Sequence, residues 1–97
     1  MKIEFLHQAQ KELDEAMEFY RNERQGLEKL FLQEMLNALD RICQFPQAWH
    51  PLSSNTRRCQ FRRFPYGIIY SVAENEIIVI AVSHLHRKPN HWRKRVN

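Results

Sequence analysis

The spacing of hydrophobic residues at the start of the chain predicts a short strand followed by a helix. Ile3 and Phe5 alternate with charged residues, which is typical of a half-buried strand over residues 2–6. The apolar spacing then changes to three and four residues, with charged side chains on the opposite side. This pattern predicts an amphipathic helix over roughly residues 8–23.

A second helix and a tight turn before it are predicted from the next apolar stripe. Apolar residues recur at helical spacing from Leu27 to Cys43, and Pro46 ends the pattern because proline has no backbone N–H to donate. Residues 22–26 contain no large apolar side chain and end in Gly26, which suits a helix terminus with positive φ. Since so short a break lets the chain reverse but not cross a domain, we expect an αα-hairpin.

The remainder of the chain has a β pattern that follows a polar segment. Residues 47–56 are rich in proline, serine and asparagine and are expected to form a loop. Alternating apolar and basic residues come next. A turn is predicted at residues 64–67, a strand at residues 68–73 and a tight hairpin at residues 74–75.

The last apolar run decides the fold class. Residues 77–82 are apolar on both faces, which places this strand centrally, with cover on each side or a strand partner along each edge. The element order is βααβββ, so we predict an α+β fold in which a helical hairpin packs on a small, mainly antiparallel sheet, as one domain over residues 1–97. The core is expected to hold apolar residues of the helix stripes and central strands: Leu13, Met17, Leu30, Phe31, Met35, Leu39, Ile69, Val79 and Ala81.

Length and composition narrow the class of protein. A chain of 97 residues, with 43% hydrophobic and 27% charged content, suits one globular core. The N-terminus lacks a signal-peptide pattern and no apolar segment reaches bilayer length, so we expect a soluble cytoplasmic protein without a membrane partner. Cys43 and Cys59, the only two cysteines, form no CxxC unit and no zinc-type spacing. We expect reduced, semi-buried thiols and no metal or other cofactor.

Charge is distributed unevenly between the two parts of the chain. Residues 1–56 contain 6 Lys or Arg against 9 Asp or Glu, whereas residues 57–97 contain 9 against 2. The two parts therefore carry −3 and +7 of the total of +4. We expect the basic part to face phosphate backbone or an acidic protein segment, the alternative being a solvated basic face without a function. A DNA-binding module is disfavoured because no predicted helix is basic enough to enter a groove.

Several features, taken in their order along the chain, resemble the RelE/ParE toxin superfamily of type II toxin–antitoxin systems. They are the βααβββ order, the helix ending in Phe45-Pro46, the segment RRFPYGIIY at residues 62–70 and the ending HLHRKPNHWR at residues 84–93. The resemblance covers nearly the whole chain. It implies a toxin held inactive by a cognate antitoxin in a hetero-oligomer, with an amphipathic or extended acidic antitoxin segment in the groove between the helices and the sheet.

Proteins with this fold have one of two activities, so the fold alone does not show which activity this chain has. ParE-like members poison DNA gyrase, and RelE-like members cleave messenger RNA on the ribosome. In the RNA-cleaving members that the sequence resembles, an arginine follows the aromatic residue at the start of the third strand, but here Gly67 follows Tyr66. Arg58 and Arg87 match basic positions, whereas Gln60 replaces a lysine. Because this set of RNA-cleaving residues is incomplete, the sequence favours the ParE-like interpretation. The alternative is a ribosome-dependent mRNA endonuclease.

The candidate site residues follow from these two interpretations. If the chain cleaves RNA, His84 and His86 are the candidate acid and base, and Arg87 is the candidate cation at the phosphate, although each histidine has a surface or capping role as its alternative. Tyr70 is expected in the core and Trp92 as an exposed anchor of the tail. The residues expected to bind the target or the antitoxin are basic and aromatic: Arg58, Arg62, Arg63, Tyr66, Arg87, Trp92 and Arg93.

Overall fold

Residues 1–96, the part of the chain that this computed structural model describes, form two α-helices, five strands and one 3-10 turn. The elements follow in the order β1 (Lys2–Phe5), α1 (His7–Glu23), α2 (Leu27–Gln44), β2 (His50–Pro51), β3 (Arg57–Gln60), β4 (Tyr66–Ala73), β5 (Glu76–His84) and the 3-10 turn (Arg93–Arg95). The predicted α+β class is confirmed. The difference is β2, a two-residue strand inside the segment predicted as loop, which arises from pairing with β3 and not from a local apolar pattern.

The helical hairpin forms where the break in the apolar stripe predicts it. The backbone N–H of Arg24 donates to Tyr20 O at 3.2 Å and closes α1. Gly26 then takes a φ of 85°, in the left-handed region that side chains disfavour, before α2 begins. At its other end α2 stops at Gln44, ahead of Pro46.

The five strands form one mixed sheet in the order β1-β5-β4-β3-β2. β1 runs parallel to β5 and all the other neighbouring strands are antiparallel, so the sheet is mainly antiparallel, as predicted. β5 lies between β1 and β4, which explains its continuous apolar run. The β4–β5 hairpin turns at Glu74 and Asn75, whose φ angles of 48° and 64° match the two left-handed positions of a type I′ turn.

The main core lies between the two helices and one face of the sheet, here called the helix face. Phe31 of α2 is at its centre, with the rings of Tyr20, Phe61, Phe64 and Tyr66 at centroid distances of 5.0 to 5.3 Å. Apolar residues from both helices and three strands are buried around it, among them Leu13, Met35, Leu39, Ile42, Cys59, Ile68, Tyr70 and Val79. The burial of Tyr70 confirms its predicted core position, and its hydroxyl donates to Pro46 O at 2.6 Å.

One residue predicted to be in the core is exposed. Leu30 retains 45% of its surface, because a step of about 100° along α2 from Phe31 turns it away from the sheet. Met17 is only partly buried, at the edge of the core. The other predicted core residues are buried as expected: Leu13, Phe31, Met35, Leu39, Ile69, Val79 and Ala81.

The opposite side of the sheet, here called the second face, is covered by the end of the chain. Ile69, Ile80 and Ala81 pack there against Trp92, which is only 4% exposed. The prediction of Trp92 as an exposed anchor is therefore wrong. The segment of residues 85–96, the C-terminal segment, folds back across the sheet, and its indole covers apolar side chains that would otherwise face water.

The carboxylate of Glu12 on α1 holds the C-terminal segment in place. It receives hydrogen bonds from Arg95 Nη1 at 2.7 Å, from Arg95 Nη2 at 2.9 Å and from the backbone N–H of Val82 at 3.1 Å. Burial alone raises the pKa of Glu12, but the hydrogen bonds from Arg95 and Val82 and the charges of Arg95 and Arg87 lower it overall. We call Glu12, Arg87, Arg95 and the N–H of Val82 the Glu12 clamp.

Three further structural facts concern membrane-spanning helices, metal ligands and the two cysteines. Among residues 1–96, neither helix has the length and apolar character needed to cross a membrane, and no group of three or more His, Cys, Asp or Glu side chains is arranged to hold a metal ion. Cys43 and Cys59 are free thiols, the first partly buried and the second buried. Burial raises the pKa of Cys59, which keeps this thiol protonated and unreactive at neutral pH.

Adjacent residues of α2 provide a direct test of the core. Phe31→Ala should lower the free energy of unfolding by about 3–5 kcal/mol, because it empties the centre of the aromatic cluster. Leu30→Ala, one residue away and exposed, should cost less than about 1 kcal/mol. Urea unfolding of both variants measures the difference, and equal losses would contradict this packing of α2 on the sheet.

The Glu12 clamp makes stability depend on pH. Because the folded-state pKa of Glu12 is lowered from its ordinary value of 4.5, its contribution is complete above that value and is lost as the pH falls through the folded pKa. At pH 7, Glu12→Gln should cost about 1–3 kcal/mol of unfolding free energy, and the gap to the unmodified protein should close in acid. Glu15→Gln, an exposed change on the same helix, is the control. A pH-independent gap would argue against an ionic role for Glu12.

Candidate functional site

A pocket of about 170 Å³ lies between the second face of the sheet and the C-terminal segment, and we call it the basic pocket. Its polar lining comes from β3, from the end of β5 and from the C-terminal segment: Arg58, Ser83, His84, Arg87, Lys88, Asn90 and His91. Its apolar lining includes Ile69 and Trp92. The fold thus concentrates part of the basic half of the sequence on one concave surface.

Arg58 is placed in the pocket by its strand register and by the absence of a side chain at Gly67. It lies opposite Ile69 across the β3–β4 ladder and therefore shares the second face. Its Cγ and Cδ lie 3.2 and 3.3 Å from the point that a Cβ on Gly67 would occupy. A Cβ at position 67 would require the stem of Arg58 to shift by a few tenths of an ångström. Arg58 Nε is buried and forms no hydrogen bond with any residue from 1 to 96.

The two candidate histidines are neighbours but differ in their exposure. The ring of His84 lies 5.3 Å from that of Tyr66 and 5.3 Å from that of His86. His84 Nδ1 accepts a hydrogen bond from the backbone N–H of His86 at 3.1 Å, so in the neutral ring its proton lies on Nε2. His86 is exposed and does not line the basic pocket. Burial raises the pKa of Tyr66, which keeps its hydroxyl protonated.

Arg87 lines the basic pocket while it shares its charge with the Glu12 clamp. Arg87 Nη1 lies 2.7 Å from Glu12 Oε2, and its side chain is 47% exposed. Such a half-exposed ion pair contributes little to stability. Arg87 can therefore leave Glu12 and pair with an anionic group of a binding partner.

His91 is a member of this site that the sequence did not identify. Its Nδ1 donates to Lys88 O at 3.0 Å, which fixes the ring, and its Nε2 is buried and bonds to none of the described residues. Burial lowers the pKa of His91, with Arg87 and Arg95 acting in the same direction. The ring is therefore neutral near pH 7, and Nε2 carries a lone pair. His91 lies in this pocket only because the C-terminal segment folds back over the sheet. No local sequence pattern predicts that position.

The other candidate residues lie elsewhere. Arg62 and Arg63 are exposed in the β3–β4 loop, beside a shallow depression that includes Leu30 and Glu34 of α2. The backbone N–H of Arg63 donates to Glu34 Oε1 at 2.6 Å. Arg93 stacks over the Trp92 ring at 4.8 Å and lines a separate depression beside residues 53–55. With Tyr66, which lies on the α1 side of the end of β5 and not in the basic pocket, the predicted binding set is divided among four surfaces.

A second concave surface, the helix–sheet groove, lies where α1 crosses the end of β5. Phe19 is 54% exposed there, beside Tyr66, Val82 and the acidic pair Glu12 and Glu15. His84 and Arg87 line both this groove and the basic pocket, so the two surfaces are continuous. In the described part of the chain β1 ends opposite Val79, and no strand covers this side of β5 beyond that point.

Comparison with known proteins shows which family this chain belongs to. A search of curated proteins returned no match. Among solved structures, a chain described as "Chromosomal ParDE TA system from P. aeruginosa" superposes with a TM-score of 0.70 at 19% identity, covering 87% of this chain and 95% of that chain, and it supports the fold. The family model for the ParE toxin of the type II toxin–antitoxin system parDE matches residues 3–89. Since this match covers most of the chain, the protein belongs to the ParE toxin family of type II toxin–antitoxin systems.

Proposed function

We propose that this chain is a ParE-like toxin that inhibits growth by poisoning DNA gyrase and is neutralised by a cognate antitoxin. Family membership over residues 3–89 is the observation that carries the proposal. The solved structure with the same fold comes from a ParDE system, which supports an antitoxin partner for this chain. A hetero-oligomer of toxin and antitoxin in the cytoplasm is the expected resting form.

The arrangement of the candidate catalytic residues weighs against cleavage of messenger RNA. A general base needs a free lone pair directed at the proton it removes. His84 Nδ1 is already occupied by the His86 N–H, and Nε2 then carries the proton. His86 lies outside the basic pocket. Gly67 stands where the RNA-cleaving relatives have an arginine, and the stem of Arg58 fills the adjoining space.

The helix–sheet groove is the surface we propose for the antitoxin. Phe19 and Tyr66 offer apolar area, and Arg87 and His84 at the end of the groove suit an acidic segment. Binding there would place antitoxin carboxylates in competition with Glu12 for Arg87, which lies at the junction with the basic pocket. One partner segment could in this way block both surfaces.

The choice of target is tested with the purified protein. Incubation with gyrase, ATP and supercoiled plasmid should yield linear DNA after denaturation, because a poison stabilises the cleaved complex. Ribosome-bound messenger RNA should stay intact under the same conditions. Codon-positioned cuts that fall by about 10²-fold in His84→Ala or Arg87→Ala would instead establish the endonuclease alternative, since a loss of that size is typical of a group acting in the transition state.

The antitoxin surface is tested with the protein encoded next to this one. At a hundredfold excess over its Kd, that protein should raise the unfolding free energy by about 2.7 kcal/mol, because it binds only the folded toxin. Phe19→Ala should weaken the complex by about tenfold or more, as buried aromatic area is lost. Leu36→Ala on α2, similarly exposed at 49% but outside the groove, is the matched control. Equal weakening by both variants in a titration would exclude the groove as the binding surface.

A further inference from the structure

The outer edge of β1 is an open side of the sheet. β1 pairs with β5 on one side, and among residues 1–96 no strand lies on its other side. The strand at the opposite end of the sheet is β2, which has only two residues, one of them Pro51 without a backbone N–H. β1 has four residues and is exposed along most of its length. Of the two end strands, β1 is therefore the one to which another strand can be added.

The backbone groups of Ile3 and Phe5 point away from β5. The backbone N–H of Leu6, just after β1, donates to Val79 O at 3.0 Å. Because the N–H and C=O groups of successive residues in a strand alternate between its two edges, the even-numbered residues of β1 bond towards β5. Ile3 and Phe5 therefore offer their N–H and C=O groups to the outside, and an added strand would pair with them.

The side chains of this strand are complementary to a second copy of themselves. Lys2 and Glu4, of opposite charge, flank Ile3, and the apolar Met1 and Phe5 follow on either side. If two such strands run antiparallel with Ile3 opposite Ile3, each Lys2 faces a Glu4 of the other copy. In the same arrangement Met1 faces Phe5. The backbone suits this pairing, because the two Ile3 residues exchange N–H···O bonds and the Lys2–Glu4 pairs are then of the type whose side chains lie closer together.

Neighbouring registers of the two strands are disfavoured by like charges. Moving one strand by two residues keeps the outward-pointing backbone groups paired. It also sets either Lys2 opposite Lys2 or Glu4 opposite Glu4, depending on the direction of the shift. Like charges directly opposite each other on adjacent strands are destabilising. The pattern of charges in β1 thus selects the register with Ile3 at the centre.

The single chain leaves charge and apolar surface at this edge that pairing would compensate. A hydrogen bond with Glu4 is the main reason that the pKa of Glu76 on β5 is raised. In the paired form, Lys2 of the second copy would bring a cation to these two carboxyl groups. Met1 and Ile3 are 48% and 36% exposed, and pairing would bring them against apolar side chains of the other copy.

We propose that the outer edge of β1 is a self-association surface, at which two copies of this chain pair antiparallel about Ile3 and join their five-stranded sheets into one of ten strands. The dimer is twofold symmetric, so each copy contributes the same surface and a third copy has no place at that edge. Because the contact is small, it belongs to the weak, concentration-dependent class. No residue of β1 lines the basic pocket or the helix–sheet groove, and the inference does not depend on the proposed target.

The mass of the purified chain in solution tests whether it pairs. Sedimentation equilibrium from about 10 µM to about 1 mM brackets a weak interface. Over this range the average mass should rise from 11.8 kDa towards twice that value. A mass that stays at 11.8 kDa at the highest concentration would overturn the proposal.

Charge reversal identifies the surface at which the copies meet. Lys2→Glu sets carboxylates opposite each other at both charged pairs, and Glu4→Lys sets ammonium groups opposite each other. Each variant alone should therefore dimerise about tenfold or more weakly than the unmodified chain. Lys11→Glu, the same change of charge on the exposed side of α1, should leave the dimer unaffected. A dimer that survives both reversals at β1, or that Lys11→Glu weakens equally, forms through another surface and contradicts the proposal.

A mixture of the two reversed variants tests the register. When Lys2→Glu meets Glu4→Lys, both charged pairs are again of opposite sign, so the mixture should form a heterodimer although each variant alone does not dimerise. Two variants whose circular dichroism matches that of the unmodified chain, and which still form no heterodimer, would refute the pairing about Ile3.

A backbone variant decides the matter if either charge variant fails to fold. Ile3→Pro removes the outward N–H and breaks no bond to β5, and proline is tolerated in edge strands for this reason. It should abolish the dimer and leave the folded monomer intact. A folded Ile3→Pro chain that dimerises as strongly as the unmodified one would show that Ile3 does not lie at the centre of the contact.

Discussion

The carboxylate of Glu12 joins three parts of the molecule that are far apart along the chain. It binds Arg95, which is 83 residues away, the backbone of β5 and the Arg87 side chain. A buried carboxylate is stable only when its partners replace the water it loses, and here they do. Trp92 is held over the second face by the same arrangement. The C-terminal segment forms the outer wall of the basic pocket, so the shape of the pocket depends on the two ion pairs of Glu12 together with the packing of Trp92.

The elements themselves could be predicted because their signals are local. Apolar spacing located both helices and the central strand, and Gly26 and Pro46 fixed the ends of α2 to within two residues. The core followed from the same stripes, apart from Leu30. The apolar stripe of α2 is wide, so the sequence locates the buried face of this helix only to within about one residue on either side. The position of the sheet decides that Phe31 is buried and Leu30 is exposed.

The parts of the site that come from the folded-back end of the chain could not be predicted. Trp92 is buried because the second face offers apolar residues to cover, and the sequence does not say where residues 85–96 will go. Glu12 looked like any other acidic residue on the polar side of α1. Arg58 and Arg87 were identified from the family resemblance and His84 from its acid–base chemistry, and all three line the basic pocket, whereas Arg62 and Arg63 lie on another surface. Gly67, which the sequence analysis interpreted as a missing cation, also leaves the space in which the stem of Arg58 on the neighbouring strand lies.

The ion pair at the end of β5 also bears on whether a second copy of the chain can extend the sheet. An uncovered strand offers unpaired N–H and C=O groups to which another chain can add a strand, and this is a common route to aggregation. β1 covers β5 only as far as Val79. Just beyond it, Arg95 occupies the carbonyl of Ile80 and Glu12 occupies the N–H of Val82. Two charged side chains thus fill the next two ladder positions, and a copy of the sheet would have to break both bonds to continue it.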